Sequence, residues 1–263
     1  MVGLTIVAAS LVISAVGPTL VPYDPLASGV GPPVEPPSLA HWMGTDRVGM
    51  DVFSRLIVAT RIDIVIALGA ATLAMLAGTA LGLITGYHST RLTELMIRTS
   101  DLVKSFPVFV LAMLAVVATG RNIANLVFVL AFLNAPVFHR LIHAQTRYFR
   151  LSTFVEGAKV VGNSEMRILY RHILPNLMGL VFAEFSVVMG SGMLLVASLS
   201  FVGAGVRVPT PEWGSMIASG AMSIAEGGYW WPSVFPGLAL TATVMGYSMV
   251  GNALHQLTDP RRR

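Results

Sequence analysis

The sequence predicts an all-α integral membrane protein with six transmembrane helices, and three observations carry that reading. Of 263 residues, 54% are hydrophobic and 11% charged, with mean hydropathy +0.73; an ordinary soluble domain carries about 25% charged residues. Six apolar stretches, separated by turn-rich or charged segments, approach the ~20 residues that cross a bilayer. Lys and Arg gather on one set of connecting segments, as the positive-inside tendency requires. The same composition excludes other classes. With no cysteine there is no disulfide scaffold, Cys-ligated zinc site, iron–sulfur centre or thiol nucleophile. The net charge of +4 belongs to sidedness and does not call for a nucleic-acid partner.

The first stretch runs from about Val2 to Val21. No Lys or Arg precedes it and no small-residue cleavage site follows, so it reads as a retained span and not as a secretory leader. The second, about Ile64 to Gly86, carries Gly78, Gly82 and Gly86 at four-residue spacing. Three missing side chains on one helix face predict a close helix–helix seam. The third, about Leu102 to Thr119, has Pro107 near one end; the fourth, about Ile123 to Leu141, has Pro136 inside it. Both are short at about 1.5 Å per residue for a ~30 Å core, so Arg98, Lys104 and Arg140 are expected to snorkel. The fifth runs from about Leu177 to Val202, and the sixth from Trp231 to Leu254, opening on a Trp-Trp pair suited to the membrane interface. The predicted division is a first span at 1–21, an extracytoplasmic segment at 22–61, a core of five spans at 62–255 and a basic tail at 256–263.

With both termini on the cytoplasmic side, the inner set of cations is Arg91, Arg98, Lys104, Arg140, Arg147, Arg150, Lys159, Arg167, Arg171, Arg261, Arg262 and Arg263, twelve of the 17. Arg47, Arg55, Arg61, Arg121 and Arg207 fall outside. This bias needs an even number of spans, in agreement with six. The outer segment 22–61 is studded with prolines that neither pair as strand nor continue a helix. It ends in HWMGTDRVGMDVFSRL, where Asp51 is placed to cap a short helix with Val52, Leu56 and Ile57 on its membrane side.

Much chemistry is missing. No GxxxxGK[ST] phosphate cradle occurs, so ATP is not bound that way by this chain. His139 and His143 stand at i, i+4 in HRLIH, yet the glutamate of a zinc protease is absent, and the pair reads as satisfied or solvated histidines. No GxSxG elbow is present; Ser191, Ser198 and Ser200 lie in an apolar helix. Glu184 is the one carboxylate well inside a span. It must pair within the bundle or line a polar pathway, with Ser191 as a second candidate on that path.

The inner segment EGAKVVGNSEMRILYRHILPN, Glu156 to Asn176, predicts two short helices meeting at Gly162, with Met166, Leu169, Tyr170 and Ile173 as an apolar stripe and Pro175 introducing the fifth span. Such an element either lies on lipid or enters a groove on another protein. Its spacing resembles the EAA loop of ABC-importer permeases, with Glu156, Gly157, Ala158, Gly162, Leu174 and Pro175 filling the pattern. Gly157 replaces the usual first alanine, at about 1 kcal/mol to that helix turn. HWMGTDRVGMDVFSRL, LSFVGAGVRVPTPEWGSMI, and WWPSVFPGLAL with DPRRR are similar to signatures of the C-type permeases of dipeptide, oligopeptide and nickel importers. Met50 departs from the arginine usual there, and Val196 stands where many relatives have an acid.

That resemblance implies a type I ABC-importer permease fold. It also implies a heterodimer with a homologous B-type permease, cytoplasmic ATPase domains (separate or fused) that use ATP and Mg, and an extracytoplasmic substrate-binding protein. In this reading the chain sits in a bacterial cytoplasmic membrane and binds no cofactor. It takes up di- or oligopeptides, with nickel chelates and haem as further family cargo. The inner loop then forms the coupling helix, with Glu156 capping it. Arg167, Arg171 and His172 face the ATPase, although anionic lipid suits the two arginines equally. Gly44, Thr45, Asp46 and Asp51, with Pro211, Trp213 and Gly214 of the outer loop 204–230, form the platform for the binding protein or cap the bundle against water. The rival class, an ion-driven transporter or channel, predicts paired intramembrane charges and broken-helix repeats, and only Glu184 speaks for it.

Overall fold

A computed structural model describes residues 1–258; the Asp259–Arg263 part of the predicted basic tail lies outside them. The described residues form ten α-helices with no strand beyond one bridge between Thr45 and Asp51. Five helical stretches are long and apolar enough to cross a bilayer, and a bent pair makes the sixth.

α1 (Val2–Val16) ends in a tight 3₁₀ turn at Gly17–Thr19, so the first span is shorter than its apolar run. α2 (Val52–Tyr87) is a single helix of 36 residues. The short helix expected after Asp51 is therefore the N-terminal end of the second span, because nothing between Ile57 and Ile64 breaks helical geometry. α3 (Arg91–Ser105) and α4 (Val108–Thr119) meet at 95°. The third span is thus not the straight helix Leu102 to Thr119: Pro107 forces Phe106 into extended backbone (φ −87°, ψ 146°), which no helix continues. α4, at 12 residues, covers only ~18 Å of the membrane. α5 (Ile123–Arg150) tolerates Pro136 in its interior and runs well past the predicted Leu141.

α6 (Thr153–Val160) precedes a turn at Gly162, whose φ of +81° is left-handed backbone that favours glycine. α7 (Glu165–Arg167), a π-helical stretch at Ile168–Ile173 and α8 (Leu174–Phe201) then follow as one continuous helical rod. Pro175 is accommodated inside it, directly after the π-helical stretch, where the ladder already departs from regular i→i−4 pairing. α9 (Trp213–Gly227) lies in the outer loop and α10 (Trp231–Thr258) closes the bundle.

The seam between α2 and α5 is the tightest. A Cβ at Gly82 would stand 2.7 Å from Ile142 Cβ and 2.9 Å from the His139 carbonyl oxygen, and one at Gly86 would stand 2.6 Å from the His143 carbonyl oxygen. Gly78 meets the Ala135 carbonyl in the same way. Lipid supplies no hydrophobic drive between helices, so this close approach is what joins them. Val188, Met189 and Met193 of α8 and Leu240 and Tyr247 of α10 continue the same core. A second cluster fastens Ala112 and Val116 of α4 against Leu126 and Leu130 of α5 and Leu199 of α8.

Candidate functional site

Three regions hold the polar chemistry. At the end of the bundle where α2 begins, Asp51 Oδ2 accepts the Ser54 N–H at 2.7 Å and Oδ1 lies 2.9 Å from His41 Nδ1. Asp46 Oδ1 accepts the amides of Val48 and Met50, and Trp231 Nε1 donates to the Thr45 carbonyl at 3.1 Å. Gly44 has a φ of +72°, and a side chain there would strike the Glu35 carbonyl and the Trp231 ring. Glu212 caps α9 by accepting from Gly214 N at 2.8 Å and Ser215 N at 2.9 Å. Asp63 accepts the intervening Trp213 N–H at 3.1 Å. Trp213 sends its indole N–H to the Leu56 carbonyl. Burial pushes the Glu212 carboxyl above the ordinary range, against the pull of its hydrogen bonds.

Six of the seven residues expected to contact a binding protein, namely Gly44, Thr45, Asp51, Pro211, Trp213 and Gly214, are buried; only Asp46 is partly open. These side chains shape the surface at the start of α2 from beneath, because each is consumed by a turn, a cap or the Trp213–Leu56 contact. The exposed groups there are Leu39, Trp42, Val48 and Val208, with Leu39 98% exposed. No periodic signal marks them, since irregular chain sets which side chain faces out.

On the flank of the bundle, an open cavity of about 600 Å³ lies between the α3–α4 bend, α5 and α8, and Ser191 lines it with Lys104, Asn134 and Ser198. Glu184 is not among the lining residues; its carboxylate stands 3.7 Å from His255 Nε2, joining α8 to α10. His139 is held by Thr85 Oγ1 at 2.9 Å and Ser100 Oγ at 2.6 Å, and His143 Nδ1 lies 3.1 Å from the same Thr85 oxygen. The pair thus ties α2, α3 and α5 together, and no cluster of three metal-type ligands forms among the described residues.

At the opposite end, the α6 loop projects from the bundle. Val155 and Ala158 turn inward, while Glu156, Gly157, Gly162, Arg167, Arg171 and Pro175 are exposed and His172 and Leu174 are half-buried. Glu156 sits in the first turn of α6, where its charge favours the helix dipole, but the N-cap is Ser152, so the expected capping role is corrected. Ser164 begins the next helix by accepting the Arg167 N–H. Of the expected stripe, Leu169 and Ile173 are buried in the bundle and only Met166 and Tyr170 face out. Two residues absent from the sequence reading stand out: Val160 is 88% and Val161 83% exposed at the tip of the loop. The adjoining Val-Val-Gly was the available signal. Gly3 of α1 touches Met249 of α10, and Glu184 reaches His255, so both ends of the described chain lie on the α6 side.

The described residues form a polytopic helical bundle with a loop projecting at one end and a folded polar surface at the other. The chain belongs to the family described as binding-protein-dependent transport system inner membrane component, whose model matches residues 78–263. It is similar to the dipeptide transport system permease protein DppC of Alkalihalophilus pseudofirmus, 32% identical over all of this chain and 86% of that protein. A glutathione transport system permease protein, GsiD of Pectobacterium atrosepticum, is 35% identical over 91% of this chain and 76% of its own length. The probable D,D-dipeptide transport system permease protein DdpC of Escherichia coli is 33% identical, covering 97% and 85%. The chain is accordingly a multi-pass membrane permease subunit.

Proposed function

We propose that this chain is the C-type permease subunit of an ATP-driven importer of di- or oligopeptides in a bacterial cytoplasmic membrane. The observation that carries the reading is end-to-end similarity to permeases named for dipeptide and glutathione transport, on a bundle whose sequence holds no phosphate cradle. A subunit of this kind borrows its energy. A homologous B-type permease completes the pathway, cytoplasmic ATPase domains supply ATP and Mg chemistry, and an extracytoplasmic binding protein delivers cargo. The α6 loop is the coupling element: Val160 and Val161 offer an apolar knob, flanked by Lys159, Arg167 and Arg171, to a groove on the ATPase. With that end cytoplasmic, both described chain ends are cytoplasmic too, in accord with the arginine-rich inner segments. Leu39, Trp42 and Val208 face the binding protein, supported by the buried Asp51, Thr45 and Trp213.

Reconstituted vesicles containing the native complex should accumulate a dipeptide only with ATP and binding protein. Gly162→Val places a β-branched residue in left-handed backbone, a strain of about 1–2 kcal/mol. It should leave ATP hydrolysis running while uptake falls at least tenfold. Peptide uptake without any ATPase would favour the ion-driven reading and end this one.

A further inference from the structure

The cavity at the α3–α4 bend brings together polar side chains at membrane depth. α4 accounts for only ~18 Å of a ~30 Å hydrocarbon layer, so the bend lies within the layer and not at its surface. Asn134 and Ser191 each project from the middle of a 28-residue helix. Intramembrane polar groups of this sort face a cavity and mark a pathway. The hydroxyl protons are committed, Ser191 donating to the Val188 carbonyl and Ser198 to the Leu194 carbonyl at 2.7 Å, and one of the two Asn134 Nδ2 protons goes to the Leu130 carbonyl at 2.9 Å. The wall therefore turns hydroxyl lone pairs and an amide oxygen toward the cavity, which suit the N–H groups and ammonium of a peptide. Lys104 is the one charged group lining it, and Lys104 Nζ has no carboxylate partner among the described residues.

We propose that this cavity is a peptide subsite, in which Lys104 takes the terminal carboxylate of the passing substrate while Asn134, Ser191 and Ser198 accept from its amides. Phe109 and Leu194 supply the apolar surface for side chains, so the site reads the peptide's ends and backbone and leaves its side chains largely unread. The inference rests on the peptide-permease reading.

The test uses the complete complex in proteoliposomes, with saturating loaded binding protein. Lys104→Gln should lower maximum dipeptide uptake on the order of fivefold, as loss of a charge-assisted contact does. ATP hydrolysis stimulated by the binding protein should stay at the wild-type rate. Lys104→Arg should restore uptake, and the C-terminal amide of the same dipeptide should move equally through wild type and Lys104→Gln. Arg98→Gln, which removes an exposed cation of the same helix paired with Glu94, should change nothing. Unchanged uptake in Lys104→Gln overturns the inference and leaves the peptide-permease reading intact. An equal loss in Arg98→Gln, or an equal loss for the amide, overturns it in favour of a membrane-surface anchor. A wild-type complex that takes up no peptide overturns both.

Discussion

Gly82→Ala should destabilise the bundle although it adds a single methyl group to a helix. The added Cβ would lie 2.7 Å from Ile142 Cβ and 2.9 Å from the His139 carbonyl oxygen, where ordinary contact needs about 3.5–4 Å. α2 and α5 would have to part by roughly 1 Å. Gly78 and Gly86 hold the seam closed on either side, so a tilt relieving one contact tightens another. The separation also stretches the Thr85–His139 and Thr85–His143 hydrogen bonds that cross the same seam. Overpacking of this kind costs about 1–3 kcal/mol. Gly192→Ala is the control, because a Cβ there meets nothing within 4 Å, and a helical Gly to Ala exchange gains up to about 1 kcal/mol. Denaturant titration of detergent-solubilised protein, followed by circular dichroism, should place the two variants on opposite sides of wild type. Equal midpoints would refute the close-seam argument.

Asp51→Ala removes an N-cap and the partner of buried His41, and should cost about 1–3 kcal/mol in the same titration; Asp51→Asn keeps the cap and should recover part of it. Glu184→Gln should assemble and transport at close to the wild-type rate, because Glu184 faces His255 and not the cavity; inactive but assembled protein would return it to the pathway. For Glu212 the folded-state pKa is raised by burial, so the folded protein holds its proton to higher pH than the unfolded chain. Stability should then decline as pH rises from about 4.3, the unperturbed Glu value, through the raised one. A pH series of thermal unfolding checks this, and Glu212→Gln should flatten the slope; a slope of opposite sign would contradict the burial argument.

The spans were legible in the sequence because each depends on a sum over some twenty side chains, which composition reports directly. The glycine seam was legible for a different reason: Gly78, Gly82 and Gly86 lie on one face by helical periodicity alone, with no need to know the partner. What escaped was set by single backbone events or by three-dimensional burial. Pro107 was visible, but its effect on Phe106 turned a predicted span into two helices at 95°. Trp213 looked like a surface anchor because a tryptophan closely following two prolines in a loop has no periodic context. Only its hydrogen bond to Leu56 and contact with the core reveal it as a keystone. Pro175 misled in the opposite direction, since the π-helical stretch before it takes up the irregularity and the rod runs on. Val160 and Val161, two ordinary valines, become a prominent apolar feature of the α6 end only through the turn at Gly162.

The rod from Glu165 to Phe201 spans 37 residues, or about 55 Å. Geometry then fixes a gearing: one degree of tilt about its inner end carries the outer end by ~1 Å. Five degrees moves Phe201, and the outer loop tied to it, by roughly the pitch of one helical turn. The π-helical stretch at Ile168–Ile173 lies at the short arm of that lever, where a wider, less regular hydrogen-bond ladder is best able to absorb twist. Displacements too small to notice at the α6 end are thereby large enough at the Phe201 end to change which side chains meet.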